Sequence, residues 1–221
     1  MATPRPAGPD TLLLLDAASL YYRAFHGVPE SVRAPDGTPV NAVRGFCDTV
    51  AMLVREHAPQ RLVACWDDDW RPAFRVAALP SYKAHRVGAD GGEETPAALG
   101  PQVPLLAEVL AAAGIARVGA AGFEADDVIA TLAARAVAAG RAVDVVTGDR
   151  DLFQLVDDAA RVRVLYTGRG LKRLEVVDDG ALAARYGVRG GRGYADLAVL
   201  RGDPSRCASC ARGAAGARRR P

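Results

Sequence analysis

The stretch Glu124-Ala125-Asp126-Asp127 places three carboxylates within four positions at the start of an apolar-periodic run. Glu124 and Asp127 are three apart, so both can share one side of a first helical turn with Asp126 beside them. Acids in a first turn are favoured by the helix macrodipole at up to about 1 kcal/mol each. Capping therefore explains one or two of them, whereas three together repel one another and require a compensating cation. On this stretch alone, a capped helix and a metal site stand even. Asp149 and Asp151 follow an apolar run through Gly148, which reads either as a turn with an N-cap or as a second pair of ligands. Asp16 and Asp67 each close a short apolar run, where aspartate is also a common turn residue. The weight lies in the conjunction, because four separated segments all deliver carboxylates. Oxygen donors without nearby histidine suit Mg²⁺ or Mn²⁺ rather than zinc. Two such ions, roughly 4 Å apart, activate a water and stabilise the leaving oxygen of a phosphodiester. The expected chemistry is hydrolysis of a phosphodiester by in-line attack.

Something must bring these segments together. Short apolar runs over 12–15, 62–66, 115–118, 143–147 and 162–166 read as buried strands, most ending in an acid or a glycine. Helical patterns lie between them over 41–56, 103–113 and 125–139, with a short one after Asp151. This alternation predicts an α/β fold with a mostly parallel sheet wrapped by helices on both faces. In such sheets ligands bind beyond the carboxyl ends of the strands, which is where Asp16, Asp67 and Asp149 fall. Residues 80–101 interrupt the alternation, being polar, basic at their start and glycine-rich around 88–92. That is too long for an ordinary connection and predicts a functional loop or a disordered one.

The 221 residues are half apolar and 24% charged, a globular composition suited to one domain. The net charge of +2 is misleading. Residues 206–221 hold five arginines and no acid, leaving 23 basic against 26 acidic side chains before them. A body near −3 lacks the bulk basic footprint of a nucleic-acid binder, so any such footprint must be local. No apolar run reaches the roughly 18–20 residues needed to span a bilayer, and the start lacks a signal-peptide core. A cytoplasmic protein is expected. Cys47 and Cys65 sit in apolar segments as small hydrophobes. Cys207 and Cys210 form a C-x-x-C without the second pair a zinc site requires. Residues 1–10 and 206–221 have compositions expected to be disordered.

The motifs resemble, in order, those of the 5′ nuclease domain of bacterial DNA polymerase I and of stand-alone 5′-3′ exonucleases and flap endonucleases. They stand here as Leu14-Leu15-Asp16, Tyr22-Arg23-Ala24-Phe25, Cys65-Trp66-Asp67, Phe74-Arg75 and Tyr82-Lys83-Ala84-His85-Arg86. They continue as Glu124-Ala125-Asp126-Asp127, Thr147-Gly148-Asp149-Arg150-Asp151, and Tyr194-Ala195-Asp196-Leu197 through Gly202-Asp203. The resemblance covers residues 11–205 and implies a PIN-like fold with two metal sites and a helical arch over about 80–101. It implies action on DNA with 5′ single-stranded ends or flaps, in replication and repair. Asp16, Asp67, Glu124, Asp126 and Asp127 would surround one Mg²⁺ and Asp149, Asp151 and Asp203 the other, with Mn²⁺ able to substitute. Lys83, Asp127 and Asp149 are expected to carry catalysis. Lys83 and Arg86, three apart, would meet a phosphate, and Tyr82 would stack on a base. Arg23 and Arg75 would contact phosphates, although either can instead pair with a site carboxylate.

The pattern breaks after Ser205. The family continues with a second aspartate and a helix-hairpin-helix that grips duplex DNA, whereas this chain has Arg206-Cys207-Ala208. The expectation is a truncated or frame-shifted end and a weakened second metal site. Two other readings compete: a catalytically impaired DNA-binding remnant, and a small PIN-type ribonuclease of the toxin kind. The long insertion and the number of acids argue against the last.

Overall fold

The computed structural model describes residues 10–202. Asp203, the C-x-x-C and the arginine-rich tail lie outside the described residues. Six strands form one sheet in the order β3-β2-β1-β4-β5-β6. They are β1 (Thr11–Asp16), β2 (Arg61–Cys65), β3 (Ala116–Val118), β4 (Ala142–Thr147), β5 (Val162–Tyr166) and β6 (Glu175–Val177). The first five are mutually parallel and β6 is antiparallel to β5. The helices are α1 (Ala17–Gly27), α2 (Asn41–His57), α3 (Ala73–Ala78), α4 (Gln102–Ala112), α5 (Ala125–Ala138), α6 (Asp179–Tyr186) and α7 (Gly190–Arg201). Five strands and three longer helices thus lie where the hydrophobic periodicity places them.

The unbroken leucines of β1 follow from burial on both faces. Leu12 and Leu14 pack with α5, α6 and α7 through Ile129, Leu182 and Tyr194. Leu13 and Leu15 pack with α1, α2 and α4 through Leu20, Phe46 and Leu106. Full burial of each leucine stabilises by about 1.5–3 kcal/mol. The two central strands, β1 and β4, are therefore held from both sides, and their carboxyl ends form a rigid rim.

Two expectations change. Residues 80–101 form no helical arch, since among them only Ala84–Arg86 makes a single 3-10 turn and a bridge joins Val87 to Glu93. Pro80, Pro96, Gly88, Gly91 and Gly92 interrupt any helical run, and side chains at its start are drawn down onto the sheet rim. Asp10, assigned by composition to a disordered start, belongs to the fold and is bonded to Arg61 and Arg141.

Candidate active site

Asp16, Asp67, Glu124, Asp126 and Asp149 line one cleft of about 1680 Å³, with Arg23, Lys83 and Arg86 also on its walls. Each acid is aimed by backbone that the sequence makes rigid. Asp16 ends β1 and caps α1, accepting from the Ser19 N–H at 3.1 Å. Its other carboxylate oxygen accepts the Thr147 hydroxyl at 2.6 Å. That hydroxyl in turn accepts the Asp149 N–H at 2.9 Å, tying the ends of β1 and β4 together. Gly148 between them lets Ser19 Oγ approach its N–H to 2.8 Å; a Cβ there would lie 2.7 Å from the same oxygen. Asp67, just past β2, accepts the Ala125 N–H at 2.6 Å and so fixes the start of α5 against the sheet.

Glu124 is almost fully enclosed at 3% exposure. It accepts the Tyr82 hydroxyl at 2.6 Å and the Lys83 ammonium at 2.7 Å. Lys83 also donates to the Trp70 carbonyl at 3.0 Å and adopts φ 47°, a left-handed conformation that side-chain-bearing residues rarely adopt. Local strain of this kind persists where surrounding contacts over-determine it, as these two bonds do. Arg75 reaches from α3 to donate to Asp127 at 2.6 Å and to the Tyr82 hydroxyl at 3.2 Å. Asp127 also accepts the Glu124 N–H at 3.1 Å, closing the first turn of α5.

The predicted acids thus separate into two groups. Glu124 and Asp127 are ion-paired to Lys83 and Arg75, whereas Asp16, Asp67, Asp126 and Asp149 form no ion pair among the described residues. Burial raises the Asp16 carboxyl to about 6 against the stabilising bonds from Thr147 and Ser19. Burial, reinforced by Asp16, Asp149, Asp67 and Glu124, raises Asp126 to about 8. Asp67 is raised chiefly by burial, with Lys83 opposing. Such a field favours a cation. No three of these side chains stand close enough to enclose a metal ion unaided, among the described residues. Mg²⁺ keeps several waters and takes one or two carboxylates together with substrate phosphate oxygens, so an oxygen-only, open set of this kind fits it.

Other predicted residues fall differently. Asp151 starts the 3-10 turn Asp151–Leu155, its N–H bonded to Asp149, and does not line the cleft. Tyr82 is 5% exposed and enclosed by Arg75, Lys83 and Glu124, so it has no face to offer a base, and its hydroxyl donates to Glu124. Arg75 takes the alternative open to it, pairing with a site carboxylate. The buried Arg23 Nε has no hydrogen-bond partner among the described residues. Sequence reasoning missed Glu93, which lines the cleft 3.8 Å from Arg86. It lies in a stretch without periodicity, and only the folding back of 80–101 brings it in. The supporting hydroxyls of Ser19 and Thr147 were also missed, although Thr147 sits inside a motif.

A six-stranded resolvase-like sheet with acids on the carboxyl rim defines a class. Residues 11–187 match the family described as 5′-3′ exonuclease, N-terminal resolvase-like domain, and the chain belongs to it. It is 61% identical over 198 residues to a 5′-3′ exonuclease of Streptomyces coelicolor, covering 87% of this chain and 64% of that protein. It is 43% identical over 196 residues to DNA polymerase I of Mycobacterium bovis, covering 88% of this chain and 21% of the polymerase. The chain thus spans about 64% of the length of the exonucleases it matches. The T5 D15 protein, solved with metal ions, shares the fold at TM-score 0.65 and 17% identity over 89% of this chain and 68% of that one. The fold is PIN-like.

Proposed function

We propose that this chain is the catalytic body of a divalent-cation-dependent 5′-3′ exonuclease that hydrolyses phosphodiesters of DNA at 5′ single-stranded ends or flaps. The observation that carries this is the set of four carboxylates, Asp16, Asp67, Asp126 and Asp149, sharing one cleft without an ion-paired partner among the described residues. Family membership supports it, as do the relatives named 5′-3′ exonuclease and the T5 D15 flap endonuclease solved with DNA and metal ions.

Those four acids, with Glu124, would hold Mg²⁺ or Mn²⁺. Bound there, the ions would neutralise phosphate charge and lower the pKa of a water. The chain's own residues preorganise the site. Thr147 and Ser19 fix Asp16, the Ala125 N–H fixes Asp67, and Tyr82 with Lys83 fixes Glu124. Asp127 acts as a positioning residue that holds Arg75 behind Glu124. Lys83, Arg86 and Arg23 bring positive charge to the cleft walls, where a phosphate backbone is positioned rather than read. Incubation with a 5′-labelled flap duplex and a single strand, with Mg²⁺, Mn²⁺ or chelator, tests the reading. Metal-dependent release of short 5′ products is expected; no cleavage with either ion, or equal cleavage in chelator, rejects it.

A further inference from the structure

Of the five phenylalanines, Phe25, Phe46 and Phe153 are buried, whereas Phe74 and Phe123 are 51% and 45% exposed. The two exposed rings meet, with centroids 5.7 Å apart and planes at 47°. From them a row of rings and cations leads toward the cleft. The Arg75 guanidinium lies 5.5 Å from the Phe74 ring and 5.7 Å from the Tyr82 ring, and the Lys83 ammonium lies 5.5 Å from the Tyr82 ring. Lys83 lines the cleft, and Phe123 directly precedes Glu124, which also lines it. The two phenyls do not line the cleft themselves.

Charge along this stretch has both signs. Asp69 donates its N–H to the Phe123 carbonyl, the Arg75 guanidinium lies by the Phe74 ring, and Arg71, which donates to the carbonyls of Tyr82 and Pro80, forms no ion pair among the described residues. A flat apolar pair next to a fixed cation, one residue from an acid of the proposed site, matches an anionic chain that carries flat rings. Single-stranded nucleic acid has that chemistry: bases stack on aromatic side chains while the backbone follows positive charge. We propose that Phe74 and Phe123 form a stacking platform for a base of the single strand that enters the neighbouring cleft. This rests on the nuclease reading and assigns the stacking role to residues other than the enclosed Tyr82.

The test uses single-stranded oligonucleotides carrying 2-aminopurine at successive positions from the 5′ end, titrated with the full chain in Ca²⁺ at low salt. Fluorescence quenching is expected at one or two adjacent positions. Phe74→Ala and Phe123→Ala should each weaken binding about ten-fold and abolish that quench, with circular dichroism unchanged. Phe74→Trp should retain both, whereas Phe74→Leu, which keeps the apolar bulk without a ring face, should not. Unchanged affinity and quench in the alanine variants would overturn the platform, as would no quench at any position in the unmutated chain. Leu serving as well as Trp would also overturn it, pointing to an apolar surface packed by polypeptide. Mg²⁺-dependent cleavage by the same preparation is scored separately. Cleavage without a quench sinks the platform alone, and a quench without cleavage sinks the nuclease reading alone.

Discussion

Acids occur at both ends of this sheet and in its middle, and the fold treats them in opposite ways. At the amino end Asp10 is shared by Arg61 and Arg141. In mid-sheet the buried Asp144 is matched by its register partner Arg163, with bonds of 2.6 and 2.9 Å. At the carboxyl rim, Asp16, Asp67, Asp126 and Asp149 are left without ion pairs among the described residues, although Asp16 is buried, Asp67 and Asp126 are partly so, and taking a carboxylate out of water is expensive. A fold that supplies a guanidinium to Asp144 has no general difficulty in pairing acids. On the proposed reading, the rim is unpaired because its cation comes from outside. Glu124 and Asp127 stand between these regimes, at the rim yet paired from within.

The largest effect tests the paired side. Asp144→Ala strands the Arg163 guanidinium inside the sheet, and breaking a buried pair costs about 3–5 kcal/mol. Urea unfolding should show that loss to the same extent with and without Mg²⁺. A loss under 1 kcal/mol would mean the pair is not what holds this acid.

The second tests the unpaired side. Mg²⁺ at a hundred times its dissociation constant should stabilise the chain by about 2.7 kcal/mol. Asp126→Asn should remove most of that gain, while its own stability without metal equals or exceeds that of the unmutated chain. Thermal unfolding with and without Mg²⁺ checks both. An unmutated chain indifferent to Mg²⁺ would break the comparison.

A smaller effect comes from moving one acid between the groups. Lys83→Met leaves Glu124 with the Tyr82 hydroxyl as its remaining strong partner, so Mg²⁺ should bind more tightly. DNA should bind about ten-fold more weakly, some 1.4 kcal/mol, and the loss should shrink as salt rises. Isothermal titration with each ligand decides it; weaker Mg²⁺ binding would show that Lys83 shapes the site rather than competes with the ion.

The sheet was legible because five of its strands read as short apolar runs, β1, β4 and β5 being buried on both faces. The run 162–166 matches β5 residue for residue. Helix α1 was not legible, because it begins on the residue after β1 and Asp16 serves as both strand end and cap, leaving no turn signal between them. Helices α6 and α7 hide among Gly180, Gly187, Gly190, Gly191 and Gly193, and β6 is three residues long. At the site, residue types and spacing named the acids but not their partners. That Tyr82 and Arg75 face inward, to Glu124 and Asp127, depends on how 70–86 packs against α5, which no local pattern encodes.

The smallest predicted effect separates neighbours that the sequence treats as equals. Asp126 and Asp127 are adjacent in one motif, but about 100° of helical rotation separates them. Asp126 lines the cleft, whereas Asp127 turns to Arg75 and to the Glu124 N–H. Asp127→Asn keeps an acceptor for that N–H and gives up the charge facing Arg75, whose side chain is a quarter exposed. A partly exposed pair contributes about 1 kcal/mol or less, so the stability change should be of that size. Cleavage should fall less than ten-fold, since Arg75 and Glu124 lose alignment but no acid leaves the cleft. Asp126→Asn, at the same cost in side-chain volume, should lower cleavage a hundred-fold or more, about 2.7 kcal/mol of transition-state stabilisation. Parallel single-turnover rates for the two variants measure the difference directly. Equal losses would mean that Asp127 releases Arg75 and turns to the metal when substrate binds, and that the division between paired and unpaired acids holds only for the chain without substrate.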